Sequence, residues 1–136
     1  MPEPIDRDEA LRLLVPMILE DERTRAVEWD SIALVMRMAN GQKGMHGYRF
    51  HGDDWAAFLP GSFDVIRLMK RLQTSMARAE GREWHQALVH LTRTDGGEAR
   101  IDVEFEYDDP QRWSVGKASL DLASFAESLR PKDRPD

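Results

Sequence analysis

A chain of 136 residues, 41% hydrophobic and 32% charged, is long enough for one domain with a two-layer core and too apolar for disorder. Its formal net charge of −6 disfavours loose binding to nucleic acid or an anionic membrane and would steer a basic partner toward it. The absence of cysteine excludes disulfides, thiolate zinc sites and cysteine nucleophiles. No apolar run approaches the ~18 residues of a membrane helix, and the charged start Met1–Asp8 has no secretory h-region, so the expected location is the cytoplasm.

Residues 6–22 read as an amphipathic helix. Leu11, Leu14, Val15 and Ile18 recur at helical spacing, and Asp6, Asp8 and Glu9 suit the positive end of the macrodipole. Pro16 inside it either kinks the helix or opens a second, short one. Residues 25–39 are strand-like, with Ile32, Leu34, Met36 and Met38 on one face and Ala33, Val35 and Arg37 on the other. The turn Asn40–Gly44 leads to a returning strand over 45–51, which makes a hairpin.

Gly52–Gly61 reads as a loop with at most a short strand. Ser62 is expected to cap a helix reaching Glu80, striped by Val65, Met69, Leu72, Met76 and Ala79 and stopped at Gly81. A strand over 84–93 follows, then the turn Asp95–Gly97. The next strand, 101–108, alternates cleanly. Ile101, Val103, Phe105 and Tyr107 share one face, and Asp102, Glu104, Glu106 and Asp108 share the other. Pairing Thr94 with Glu98 sets Leu91 opposite Ile101, Val89 opposite Val103 and Ala87 opposite Phe105; a one-residue slip would set apolar against charged. A short helix is expected over 118–129.

The order α-ββ-α-ββ-α predicts an α+β fold with an antiparallel four-stranded sheet from two hairpins and helices packed on one face. Residues 1–129 form the single domain, and 130–136 a frayed, proline-punctuated tail.

No catalytic motif stands out. His46/His51 and His85/His90 are spaced by five, which puts each pair on opposite faces of a strand and suits no metal. Cross-strand His90 and Asp102 could orient a base, but such a pair is routinely structural and no nucleophile can be placed beside it. Asp53–Asp54 and Asp108–Asp109 lack calcium-loop spacing. No metal or cofactor is expected. The carboxylates Asp102, Glu104, Glu106, Asp108 and Asp109 are the strongest candidates, because stacked like charges stabilise nothing but attract a cationic partner. Trp29 and Trp84, each just before a strand, are expected in the core. Trp55 and Trp113, in polar surroundings with Arg112 beside the latter, are candidate partly exposed anchors for a partner.

The order Trp29-Asp-Ser-Ile-Ala-Leu34, a glycine-bearing turn, a Leu/Met-striped helix, Gly81-Arg-Glu-Trp84, Ala87–Leu91, an Asp-Gly turn and Phe105-Glu-Tyr-Asp108 resembles the YezG-like family of bacterial immunity proteins. These are antitoxins that neutralise polymorphic toxins. The resemblance covers residues 25–113. It implies an α+β fold, no enzymatic activity, and tight binding to a cognate toxin domain, often a nuclease whose basic cleft holds phosphate. Direct nucleic-acid or membrane binding is not expected, and the oligomeric state is open. An acidic chaperone for a secreted effector is the alternative, and a small hydrolase built on His90 and Asp102 ranks last.

Overall fold

The computed structural model describes residues 5–39, 42–61, 63–94 and 98–109, together with Trp113 and Leu129. In chain order the elements are α1 (Arg7–Leu19), α2 (Glu22–Arg25), β1 (Ser31–Ala39), β2 (Gln42–His51), β3 (Asp54–Ala57), α3 (Asp64–Glu80), β4 (Gln86–Arg93) and β5 (Ala99–Glu106). The strands form one five-stranded sheet in the order β3-β2-β1-β4-β5, with every neighbouring pair antiparallel. None of the described helices is long and apolar enough to cross a membrane.

Helix α1 begins where Asp6 Oδ1 accepts the Glu9 N–H at 2.8 Å, satisfying one of the donors a helix start leaves open. It runs through Pro16 without ending. Pro16 and Arg12, whose carbonyl loses its usual donor there, both lie on the exposed side where water can substitute. Residues 22–25, partly assigned to a strand by their sequence, instead form a single helical turn. Asp21 Oδ1 caps it and also accepts the Gly61 N–H.

Helix α3 carries the strongest apolar stripe, and Val65, Leu68, Met69 and Leu72 are buried along it. Its N-cap is Phe63, with no side-chain capping bond, and Ser62 lies outside the described residues. Gly81 ends it at φ 74°, with its N–H returning to the Ala77 carbonyl, a left-handed stop that glycine adopts without steric cost. Helices α1 and α3 cover one face of the sheet, where Leu14, Ile18, Met69 and Leu72 meet Ile32, Leu34, Met36, Val89 and Leu91. Each such side chain contributes ~1.5–3 kcal/mol on burial.

The β4–β5 register is the expected one, with Val89 opposite Val103, His90 opposite Asp102 and Leu88 opposite Glu104. Among the described residues the expected four strands are five. Asp54–Ala57 pairs with β2 after a tight turn at Gly52 (φ 58°), too short a segment to announce itself by alternation. The chain leaving β3 then passes close against Gly47, whose carbonyl accepts the Phe58 N–H at 2.9 Å. A Cβ there would lie 2.6 Å from Leu34 Cδ2, 2.7 Å from the Ala33 carbonyl oxygen and 2.8 Å from that of Phe58.

The second face is not a wet one. Ala33, Val35, Tyr48, Phe50 and Leu88 are buried on it, and Trp113 and Leu129 pack against them. The turn 95–97 and, apart from Leu129, the helix expected over 118–129 lie outside the described residues.

Candidate functional site

Strand β5 is one edge of the sheet, and its two faces meet different surroundings. On the helix face, Val103, Phe105 and Tyr107 form one wall of an open cleft of about 860 Å³, closed on the other side by Ile5, Met76 and Ala79. Its rim is charged. The Arg7 guanidinium stands 5.7 Å from the centre of the Phe105 ring, and Tyr107 donates its hydroxyl to Glu80 Oε1 at 2.7 Å. Burial, then that carboxylate, pushes the Tyr107 hydroxyl above its ordinary pKa. The backbone positions the wall. Phe105 packs on fully buried Trp84 at 5.3 Å between ring centres, so the cleft floor is an extension of the core.

On the opposite face the carboxylates fall in a row, but they are not equivalent. Asp102 pairs with Arg100 Nε at 3.4 Å and its side chain is 44% exposed. Glu106 turns back on its own chain, where Oε2 accepts the N–H groups of Asp108 (3.0 Å) and Asp109 (3.1 Å). It therefore fixes the turn after the strand. Asp108 is highly exposed and pairs with Arg82 Nη2 at 3.4 Å, while that guanidinium also stacks 4.4 Å over the Tyr107 ring. Glu104 and Asp109 are exposed. Two arginines, Arg100 on β5 itself and Arg82 just after α3, offset part of the row. Such half-exposed pairs contribute only ~0–1 kcal/mol each and leave the surface negative.

A second, smaller cleft of about 460 Å³ reaches around the edge to this face, lined by Leu88, His90, Asp102 and Glu104 among others. His90 Nε2 donates to the Leu129 carbonyl at 2.7 Å, and His46 Nε2 donates to that of Trp113 at 2.9 Å. Both imidazoles are held below their ordinary pKa, chiefly by burial and against the opposing effect of those carbonyls. His90 beside Asp102 therefore tethers the chain that follows β5.

The tryptophans divide differently from expectation. Trp29 and Trp84 are core, as their positions implied. Trp113 is no exposed anchor: it is 7% exposed, its main-chain N–H donates to Gln86 Oε1 at 2.9 Å, and its side chain completes the second apolar cluster. Trp55 is half-buried on β3, packed edge-on to Tyr48 at 5.8 Å between ring centres. Four strand spacings separate β3 from β5, roughly 19 Å, so Trp55 and the acidic row do not form one patch. The same separation puts Asp54 and Asp108 at opposite sheet edges. Among the described residues no three histidines or carboxylates converge as metal ligands. Arg112 lies outside the described residues.

A scan against protein-family models finds no match to this chain, and a search of curated proteins finds none.

The cleft went unnoticed in the sequence, although two signals pointed to it. Tyr107 continues the apolar face of β5 past its last neighbour on β4, and Met76 and Ala79 continue the α3 stripe past the end of β1. Side chains that prolong an apolar pattern beyond their partners must line something open.

Proposed function

We propose that this chain is a non-enzymatic immunity-type protein that binds and neutralises a cationic toxin domain, a nuclease in the leading case, through its β5 edge. One observation carries the reading: a sheet edge with an apolar cleft on one side and a carboxylate row on the other. The apolar side supplies area that gains from leaving water, and the acidic side supplies steering and register. The open part of the cleft leaves apolar area in water and the row sets like charges side by side, so both gain when a complementary partner covers them. The resemblance to YezG-like immunity proteins supports the same reading, and so does the net negative charge, which suits a partner that itself holds phosphate.

The binding surface is narrower than the sequence alone suggested. Glu104, Asp102 and Asp109 are its acidic part, with Glu106 acting through the turn it holds. The test is co-purification with the polypeptide encoded beside this chain, followed by a nuclease assay with and without an equimolar amount of this protein. Binding with loss of cleavage is the expected result. A partner that is bound but fully active would favour the chaperone reading instead, and the absence of binding would remove both.

A further inference from the structure

The geometry points to the outer edge of β5 as the docking site for an extended partner segment in which basic and apolar residues alternate, added to the sheet as a sixth strand. This rests on the inhibitor reading only for the partner's biological identity. The Thr94 N–H donates to the Glu98 carbonyl, and in an antiparallel ladder that fixes the alternation beyond it. Residues 98, 100, 102, 104 and 106 turn their backbone groups toward β4. Ile101, Val103 and Phe105 turn theirs to the outer edge, where no described residue pairs with them.

The side chains define the occupant. A strand laid along this edge sends every second side chain into the cleft walled by Val103, Phe105 and Met76, which takes apolar groups. The intervening side chains stand beside Asp102 and Glu104, which take lysine or arginine. A second copy of the chain is a poor occupant. Two β5 strands paired antiparallel about Val103 would put Asp102 opposite Glu104 twice, acid against acid, which Arg100 opposite Glu106 offsets only in part, whereas a basic strand sets a cation against each carboxylate.

The probe is a synthetic peptide, acetyl-Lys-Val-Lys-Val-Lys-Val-Lys-amide, titrated into the full chain while amide hydrogen exchange is followed by NMR. Two control peptides share its composition: one with the lysines grouped, one with alternate backbone nitrogens methylated. Exchange at Ile101, Val103 and Phe105 should slow by at least about tenfold, with Asp102 and Glu104 little changed because their amides already bond to β4. Methylation, or Val103→Pro, which removes one outward donor at a position where an edge strand tolerates proline, should weaken binding by about tenfold. Equal binding of either control peptide, protection elsewhere in the chain, or doubling of the particle size would overturn the proposal. The methylated peptide decides the matter even if Val103→Pro does not fold. A chain that takes the peptide at this edge but ignores the toxin keeps the edge and loses the inhibitor reading; undiminished toxin binding by folded Val103→Pro does the reverse.

Discussion

Replacing Gln73 by leucine should be among the most damaging conservative changes in this protein. Gln73 is fully buried on α3, and its Nε2 donates to two main-chain carbonyls, Met38 at 2.8 Å and Trp84 at 2.6 Å. The reason for the first bond lies in the sheet. Met38 donates to the His85 carbonyl, but the His85 N–H goes to Glu106 rather than back to Met38, which leaves the Met38 carbonyl without its ladder partner. Gln73 replaces that donor, and so locks the end of β1, the start of β4 and the wall of the cleft to one helix. Gln73→Leu strands two buried acceptors at ~1–3 kcal/mol each, and the more apolar side chain returns ~1 kcal/mol. The net loss is ~1–5 kcal/mol, which for a domain of this size lowers Tm by about 3–18 °C. Urea unfolding followed by tryptophan fluorescence reads it directly, since Trp84 sits at the site. Gln73→Glu should be worse at pH 7, because it aims a carboxylate at two carbonyls, and should recover partly at pH 5 as the acid protonates and donates. A Gln73→Leu chain within ~0.5 kcal/mol of wild type would refute this account of how the sheet end is held.

Three further outcomes follow from the same structure. His46 and His90 are held below their ordinary value of 6.5 in the folded chain, so the unfolded chain binds more protons as the pH falls through that value. Stability should be fully present above about pH 6.5 and decline as the pH falls below that value, and the double variant His46→Gln, His90→Gln should lose less on the same descent; equal slopes would refute it. Gly47→Ala should cost ~1–3 kcal/mol in the urea midpoint, because two of the three close contacts are main-chain oxygens that cannot swing aside; a neutral result would contradict the close approach drawn at Gly47. Glu106→Gln should loosen the turn at Asp108 and Asp109, seen as faster amide exchange at those two residues, while Glu104→Gln leaves them unchanged.

The parts of the fold legible in the sequence are those where two patterns constrain each other. Strands β4 and β5 both alternate, and one register alone sets Val89 against Val103 and His90 against Asp102, so the pairing could be deduced before any coordinates. Strand β3 could not. Its four residues do not alternate convincingly, and what makes them a strand is the unsatisfied edge of β2. Trp113 misled for a related reason. Its neighbours in sequence are polar, yet its burial is decided by the far face of the sheet, where Ala33, Val35, Tyr48, Phe50 and Leu88 are too many apolar groups to leave in water. Gln73 was legible in principle, as a polar residue at the i+4 position from Met69 in an otherwise apolar stripe. The candidate site was half visible: alternation put the carboxylates in a row, but alternation says nothing of Arg100 and Arg82 or of the turn that occupies Glu106.

The most direct measurement is the association rate of this chain with the proposed toxin partner as ionic strength is raised, for wild type and for Glu104→Lys. Glu104 is the acidic residue of choice because it is exposed and central in the row, so a reversed charge there meets solvent and the partner directly. Wild-type association should slow steeply with salt. Glu104→Lys should associate about three- to tenfold more slowly at low salt, show a flatter dependence, and converge with wild type near 1 M, where screening acts within about 3 Å. Rates that coincide at every salt concentration would mean that the acidic edge of β5 plays no part in recognition.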